Sequence, residues 1–191
     1  MDKDFVIETI KEAFMMEKYP GDDFLSDTSD TYERDLIEQN FIGKFWQDMD
    51  KEFMLKNRDS IYFFSKYGFK YYLPGFLLAI IEDFDELDTL PDIIVGMLSV
   101  PEKEDIIELY TKVKSYPKIT GVIEINFDEL EETMLKSFEG DKQWKLERLN
   151  EFNKEQCIAI KMFLEYMKKY KDELYESNNP EIVLERYWSK Y

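Results

Sequence analysis

The sequence predicts a mainly α protein: an irregular multi-helix single domain over residues 1–191, with at most a short β element near 119–125. Three observations predict it. Apolar residues recur three and four apart along most of the chain, the spacing of amphipathic helices. Ser, Asp, Asn and Pro stand ahead of many of these segments, at intervals that keep the helices short. Hydrophobic residues make up 44% and aromatics 16% of 191 residues, enough to fill a core despite the charge.

Taken in order, Phe5, Val6, Ile10, Ala13 and Phe14 share one helical face, and "YPGDD" (Tyr19–Asp23) stops that helix. Ser29, Asp30 and Thr31 offer caps for a short helix around Tyr32–Gln39, with Gly43 as its break. Asp48 or Asp50 caps another short helix in "DMDKEFMLKNR". Pro74 is cheapest in the first turn of a helix, so the spacing predicts a helix from near Leu73 to about Phe84. It is apolar on every side and therefore buried. The aromatics upstream, Tyr62 to Tyr72, read as an irregular approach to it.

Pro91 and Pro101 open two further helices. "PKITGVIEINFDEL" is the one β-like stretch, with Asn126 or Asp128 capping a helix that ends near Phe138. "EGDKQWKLERLNEF" is polar and punctuated, which reads as a connector or mobile segment. The clearest helix is "NKEQCIAIKMFLEYM": Asn153 caps it, Gln156 completes a capping box, and Cys157, Ile160, Phe163, Leu164 and Met167 line one side. Asn179 and Pro180 start the last helix. Trp46 and Trp188 read as packing anchors and Trp144 as exposed.

The formal charge is −17, which disfavours nucleic-acid backbones and anionic membranes and favours a basic partner. The excess is uneven. Residues 1–50 hold 14 acids against 5 bases, whereas residues 151–191 hold 8 against 7. A single cysteine, Cys157, excludes an intrachain disulfide framework. The N-terminal segment carries acids where a signal peptide needs bases, and the longest apolar run is about half the ~20 residues of a spanning helix. A cytoplasmic protein without membrane contact is expected.

With no histidine, Ser-His and Cys-His pairs are excluded, and zinc sites of the Cys/His type are excluded with them. The scattered glycines match no phosphate-binding loop. No catalytic residue, metal site or cofactor is assigned. What remains is carboxylates and tyrosines. One acidic group is Asp22, Asp23, Asp27 and Asp30; a second is Glu82, Asp83, Asp85, Glu86 and Asp88, at a helix C-terminus where acids oppose the macrodipole. Tyr67, Tyr71 and Tyr72 are candidates for a pocket wall. Cys157, on an apolar stripe, reads as a structural thiol.

Several blocks together, "YPGDD", "FIGKFW", "FKYYLPGFLLA", "FLEYM" and "LERYW", resemble an uncharacterised bacterial domain family of unknown function. The resemblance runs from Phe5 to Trp188, is most specific over Phe69–Ala79, and leaves 82–145 as a variable middle. Family members carry cysteines near "SDTSDTYERD", where this chain has none, so no metal or thiol role transfers. The resemblance implies a domain spanning the chain and no particular activity.

The function favoured by size, acidity and the missing catalytic constellation is protein binding, of the immunity or antitoxin type, with the two acidic groups masking a basic partner such as a nuclease. The alternatives are an acidic nucleic-acid mimic, or a carboxylate-dependent enzyme built on Asp22, Asp23 and Glu33 beside Tyr71 and Tyr72. Oligomeric state is left open.

Overall fold

Asp2 accepts the amide of Phe5 and opens α1 (Lys3–Phe14), whose stripe of Val6, Ile10 and Phe14 is fully buried. The computed structural model describes residues 1–116 and 126–191. Among them every regular element is helical. The others are α2 (Thr31–Phe41), α3 (Lys51–Lys56), α4 (Lys66–Asp83), α5 (Leu90–Met97), α6 (Lys103–Ser115), α7 (Phe127–Leu149), α8 (Lys154–Met167) and α9 (Pro180–Arg186), with short 3₁₀ turns between them. The expected β element near 119–125 lies outside the described residues. The single β-type pairing described is a bridge between Ser26 and Phe64.

The chain divides into two compact units, 1–99 with 147–191, and 100–146. Residues 82–99, part of the middle region set apart by the sequence, belong to the first unit.

In the first unit α4 is the central element. Twelve of its residues are buried, from Gly68 to Ile81, and α1, α3 and α5 all pack on it. It begins seven residues earlier than the prolines-first rule suggests. Ser65 caps it, its Oγ accepting the amides of Tyr67 and Gly68, so the aromatics Tyr67 to Tyr72 are helical rather than an irregular approach. Pro74 then sits in the helix interior, where a lost backbone bond and a ring clash cost about 3 kcal/mol. Burial of the surrounding aromatic and aliphatic side chains offsets that cost. Each large apolar residue removed from water contributes about 1.5–3 kcal/mol. The rings pack edge to face around Phe41, with Phe53, Phe64 and Tyr72 centred 4.8–5.1 Å from it.

α8 carries the capping box its sequence announces. Asn153 accepts the amide of Gln156, and Gln156 Oε1 accepts the amide of Asn153. Its buried side includes Cys157, Ile160, Phe163, Leu164 and Met167, and α1 and α9 pack against it. Trp188 is fully buried and donates its indole N–H to the carbonyl of Leu98. Trp46 is buried as well.

In the second unit α6 and α7 run antiparallel. Lys114, near the end of α6, bonds Asp128 and Glu131 near the start of α7, and Lys103 reaches Glu139. Asn126 caps α7 by accepting the amide of Glu129. The helix does not stop near Phe138; it runs through "EGDKQWKL", correcting the connector reading of that segment. Gly140 weakens a helix by about 1 kcal/mol but does not end it, and Lys142 stacks back over buried Phe138 one turn away. Trp144 is half-buried rather than exposed. No described helix is long and apolar enough to cross a membrane.

Candidate functional site

The early start of α4 determines the site. Lys66 and Lys70 fall one turn apart on the same helix face, and each meets a glutamate from elsewhere in the chain. Lys66 Nζ lies 2.6 Å from Glu151 Oε1, and Lys70 Nζ lies 3.1 Å from Glu17 Oε2. Beside them runs an open groove of about 410 Å³, lined by the charged Glu17, Lys18, Lys70 and Glu151 together with Tyr19, Pro20, Phe24 and Tyr67.

Glu17 is held by more than its lysine. The amide of fully buried Gln156 donates to the same Oε2 at 2.7 Å. The capping box dictates this orientation, because Gln156 Oε1 already accepts the Asn153 amide and only the NH₂ end can face Glu17. Glu17 Oε1 makes no bond among the described residues. A carboxylate clamped through one oxygen and open at the other is a ready acceptor.

The aromatic part of the wall is equally braced. The turn Asp22–Phe24 follows Gly21, whose φ of 96° few other residues adopt, and Ser65 donates from its hydroxyl to the Phe24 carbonyl. Phe24 therefore stands against Tyr67, edge to face with ring centres 6.4 Å apart, although the two side chains are 57% and 44% exposed. Tyr19 donates to Asp22 at 2.7 Å, and burial, with Asp22 adding to it, pushes the Tyr19 hydroxyl above its ordinary pKa.

Of the tyrosines singled out in the sequence, Tyr67 lines the groove. Tyr71 and Tyr72 do not; they are 2% and 0% exposed and belong to the core. The Tyr72 hydroxyl donates to the Phe41 carbonyl at 2.8 Å, with the Lys44 carbonyl 3.2 Å away, and burial drives its pKa far up.

The two acidic groups do not meet. The first group begins at the turn whose Phe24 and Leu25 carbonyls lie against the start of α4, while 82–88 lie at and beyond its last turn. Eighteen helical residues span about 27 Å. Within the first group, Asp27 faces the buried Arg148 at 3.4 Å and Asp30 caps α2 through the amides of Tyr32 and Glu33. Asp23 is exposed and makes no bond among the described residues.

The second group is largely engaged within the fold. Lys51 bonds Glu86 and lies 3.7 Å from Asp83, and Arg58 meets Asp88 at 2.9 Å. Lys3 donates to the Glu82 carbonyl at the end of α4. These cations from distant segments explain how a helix C-terminus tolerates five acids. The hydrogen bond from Lys51 holds the Glu86 carboxyl below its usual range. Glu82 and Asp85 keep exposed carboxylates.

Of the set Asp22, Asp23, Glu33, Tyr71 and Tyr72, the fold links Asp22 to Tyr71 through Tyr19, which bonds Asp22 and packs edge to face on Tyr71 with ring centres 5.5 Å apart. Neither Tyr71 nor Tyr72 lines the groove. Among the described residues no three acidic or cysteine side chains gather as a metal ion requires. Sequence reading missed Glu17, Lys66, Lys70 and Glu151. The i, i+4 lysines were a visible signal, once α4 is recognised to begin at Ser65. No family model, curated protein or solved structure matches the chain, so the family resemblance rests on the quoted blocks alone.

Proposed function

We propose that this chain is a protein-binding protein of the inhibitor or immunity type, which masks a basic partner such as a nuclease with the surface around residues 19–30. The observation that carries this reading is Phe24: an aromatic ring left 57% exposed on a braced turn that also carries the exposed Asp22 and Asp23. Interface hot spots combine a rigid aromatic anchor with a polar rim, and a braced anchor loses little freedom on binding. The rim acids and the overall charge of −17 supply steering toward a cationic surface. The acids at 82–88 are the weaker half of the expected interface, since Lys51 and Arg58 already neutralise three of them.

The test is affinity capture from the native host with the wild-type chain, Phe24→Ser and Asp85→Lys, at low and moderate salt. The expected result is one stoichiometric basic protein, weakened by salt, lost with Phe24→Ser and kept with Asp85→Lys. Capture that ignores Phe24, or that depends on Asp85 instead, overturns the assignment.

A further inference from the structure

We propose that the groove between the loop 17–24 and the first half of α4 is a small-molecule site for an uncharged, planar, nucleobase-like heterocycle. This goes beyond the protein-contact reading and does not depend on it.

The polar wall presents a defined pattern. Glu17 Oε1 is an open acceptor on a carboxylate whose other oxygen is fixed by Gln156 and Lys70. The Lys70 ammonium, engaged by a single carboxylate oxygen, keeps N–H donors beside that carboxylate. Lys70 Nζ lies 3.1 Å from Oε2, and the open Oε1 is the other oxygen of the same carboxylate. A donor and an acceptor therefore share this wall and suit a ring edge that carries an N–H next to a carbonyl oxygen or a ring nitrogen, as purines and pyrimidines do.

The apolar wall supplies the face. Phe24 and Tyr67 stand perpendicular, at 88°, so a flat ring stacked on one meets the edge of the other. Lys66 lies 5.0 Å from the centre of the Tyr67 ring, which leaves Phe24, with its large exposure, as the stacking face. Stacking of a base on an aromatic side chain contributes sequence-tolerant affinity. The volume of about 410 Å³ lies in the range of small-ligand clefts.

Charge decides between ligand classes. Glu17 and Glu151 pair with Lys70 and Lys66, and exposed Lys18 adds one cation to the lining. Asp22 and Asp23 at the adjacent turn outweigh Lys18, and the chain carries −17 overall. A phosphorylated ligand is repelled, which selects the base or nucleoside over the nucleotide.

The experiment is amide NMR titration of the full chain with adenosine, guanosine, cytidine and uridine, and with their 5′-monophosphates. At least one nucleoside is expected to bind at about 1 mM or tighter, shifting Tyr19, Phe24, Tyr67 and Lys70. Its monophosphate is expected to bind about tenfold more weakly. Glu17→Gln, which keeps an acceptor for Gln156, and Phe24→Leu should each weaken it by about tenfold, while Asp85→Asn leaves it unchanged. The amide spectrum of each variant reports its fold. Absence of groove shifts with all four nucleosides, shifts centred elsewhere, a tighter monophosphate, or undiminished binding by folded Glu17→Gln each overturns the proposal. Nucleoside binding is measured without any protein partner, so its failure leaves the capture result untouched, and the reverse holds.

Discussion

A β-carbon placed on Gly68 would stand 2.4 Å from the carbonyl oxygen of Leu25. That carbonyl also accepts the Ser65 amide at 2.8 Å, while the Ser65 hydroxyl donates to Phe24. The first turn of α4 and the turn that presents Phe24 are thus joined backbone to backbone, and glycine is what permits the approach.

Gly68→Ala is therefore expected to destabilise the fold by about 1–3 kcal/mol, since backbone rather than a flexible side chain must yield. The same change at Gly140, where a β-carbon meets nothing within 4 Å in the middle of α7, should stabilise by about 0.5–1 kcal/mol. Urea unfolding of the two variants checks the opposite signs; equal effects would show that the Leu25 contact is not a constraint.

Tyr72 buries its hydroxyl against two backbone carbonyls. Tyr72→Phe removes one donor from the Phe41 carbonyl, which keeps the Lys44 amide, and should cost about 0.5–1.5 kcal/mol, read as a lower thermal midpoint. The raised pKa adds a pH dependence. A tyrosine whose folded pKa lies above its unfolded value contributes stability fully present below about pH 10, and loses it as the pH rises toward the folded value. Alkaline unfolding of wild type should accordingly be accompanied by late, cooperative ionisation of Tyr72, which the Phe variant lacks.

Lys51 and Glu86 form an exposed pair with the carboxyl shifted downward. Its contribution is present above the unfolded glutamate value near pH 4.3 and is lost as the pH falls through the folded value. Carboxyl NMR should show Glu86 titrating below the ordinary range in wild type, and within it in Lys51→Met. Salt should bring the two curves together. An unchanged Glu86 midpoint in the variant would remove Lys51 as the cause.

The groove proposal and these variants meet at one point. Gly68→Ala displaces the Phe24 turn, so it is expected to weaken nucleoside binding as well as stability, whereas Tyr72→Phe changes stability alone.

By itself the sequence determined the elements whose causes are local. Asp30, Asp50, Asn153 and Asn179 each cap the helix that follows, and the periodic stripes of α1 and α8 are largely buried, with Phe5 left exposed near the start of α1. Caps and stripes act across three or four residues, so they are written in consecutive letters. It also determined the mainly α character, through composition and period together.

Only the tertiary structure decided where α4 begins and what its ends do. Local rules placed Pro74 in a first turn; the core holds it mid-helix because twelve buried residues outweigh one lost hydrogen bond. The acids at 82–88 looked unopposed until the fold brought Lys51, Arg58 and Lys3 to them across 30 to 79 positions. Glu17 and Gln156 are 139 residues apart, and their bond forms the open carboxylate of the groove. Such pairs leave no trace in spacing, because chain folding, and not sequence neighbourhood, sets the distance between them.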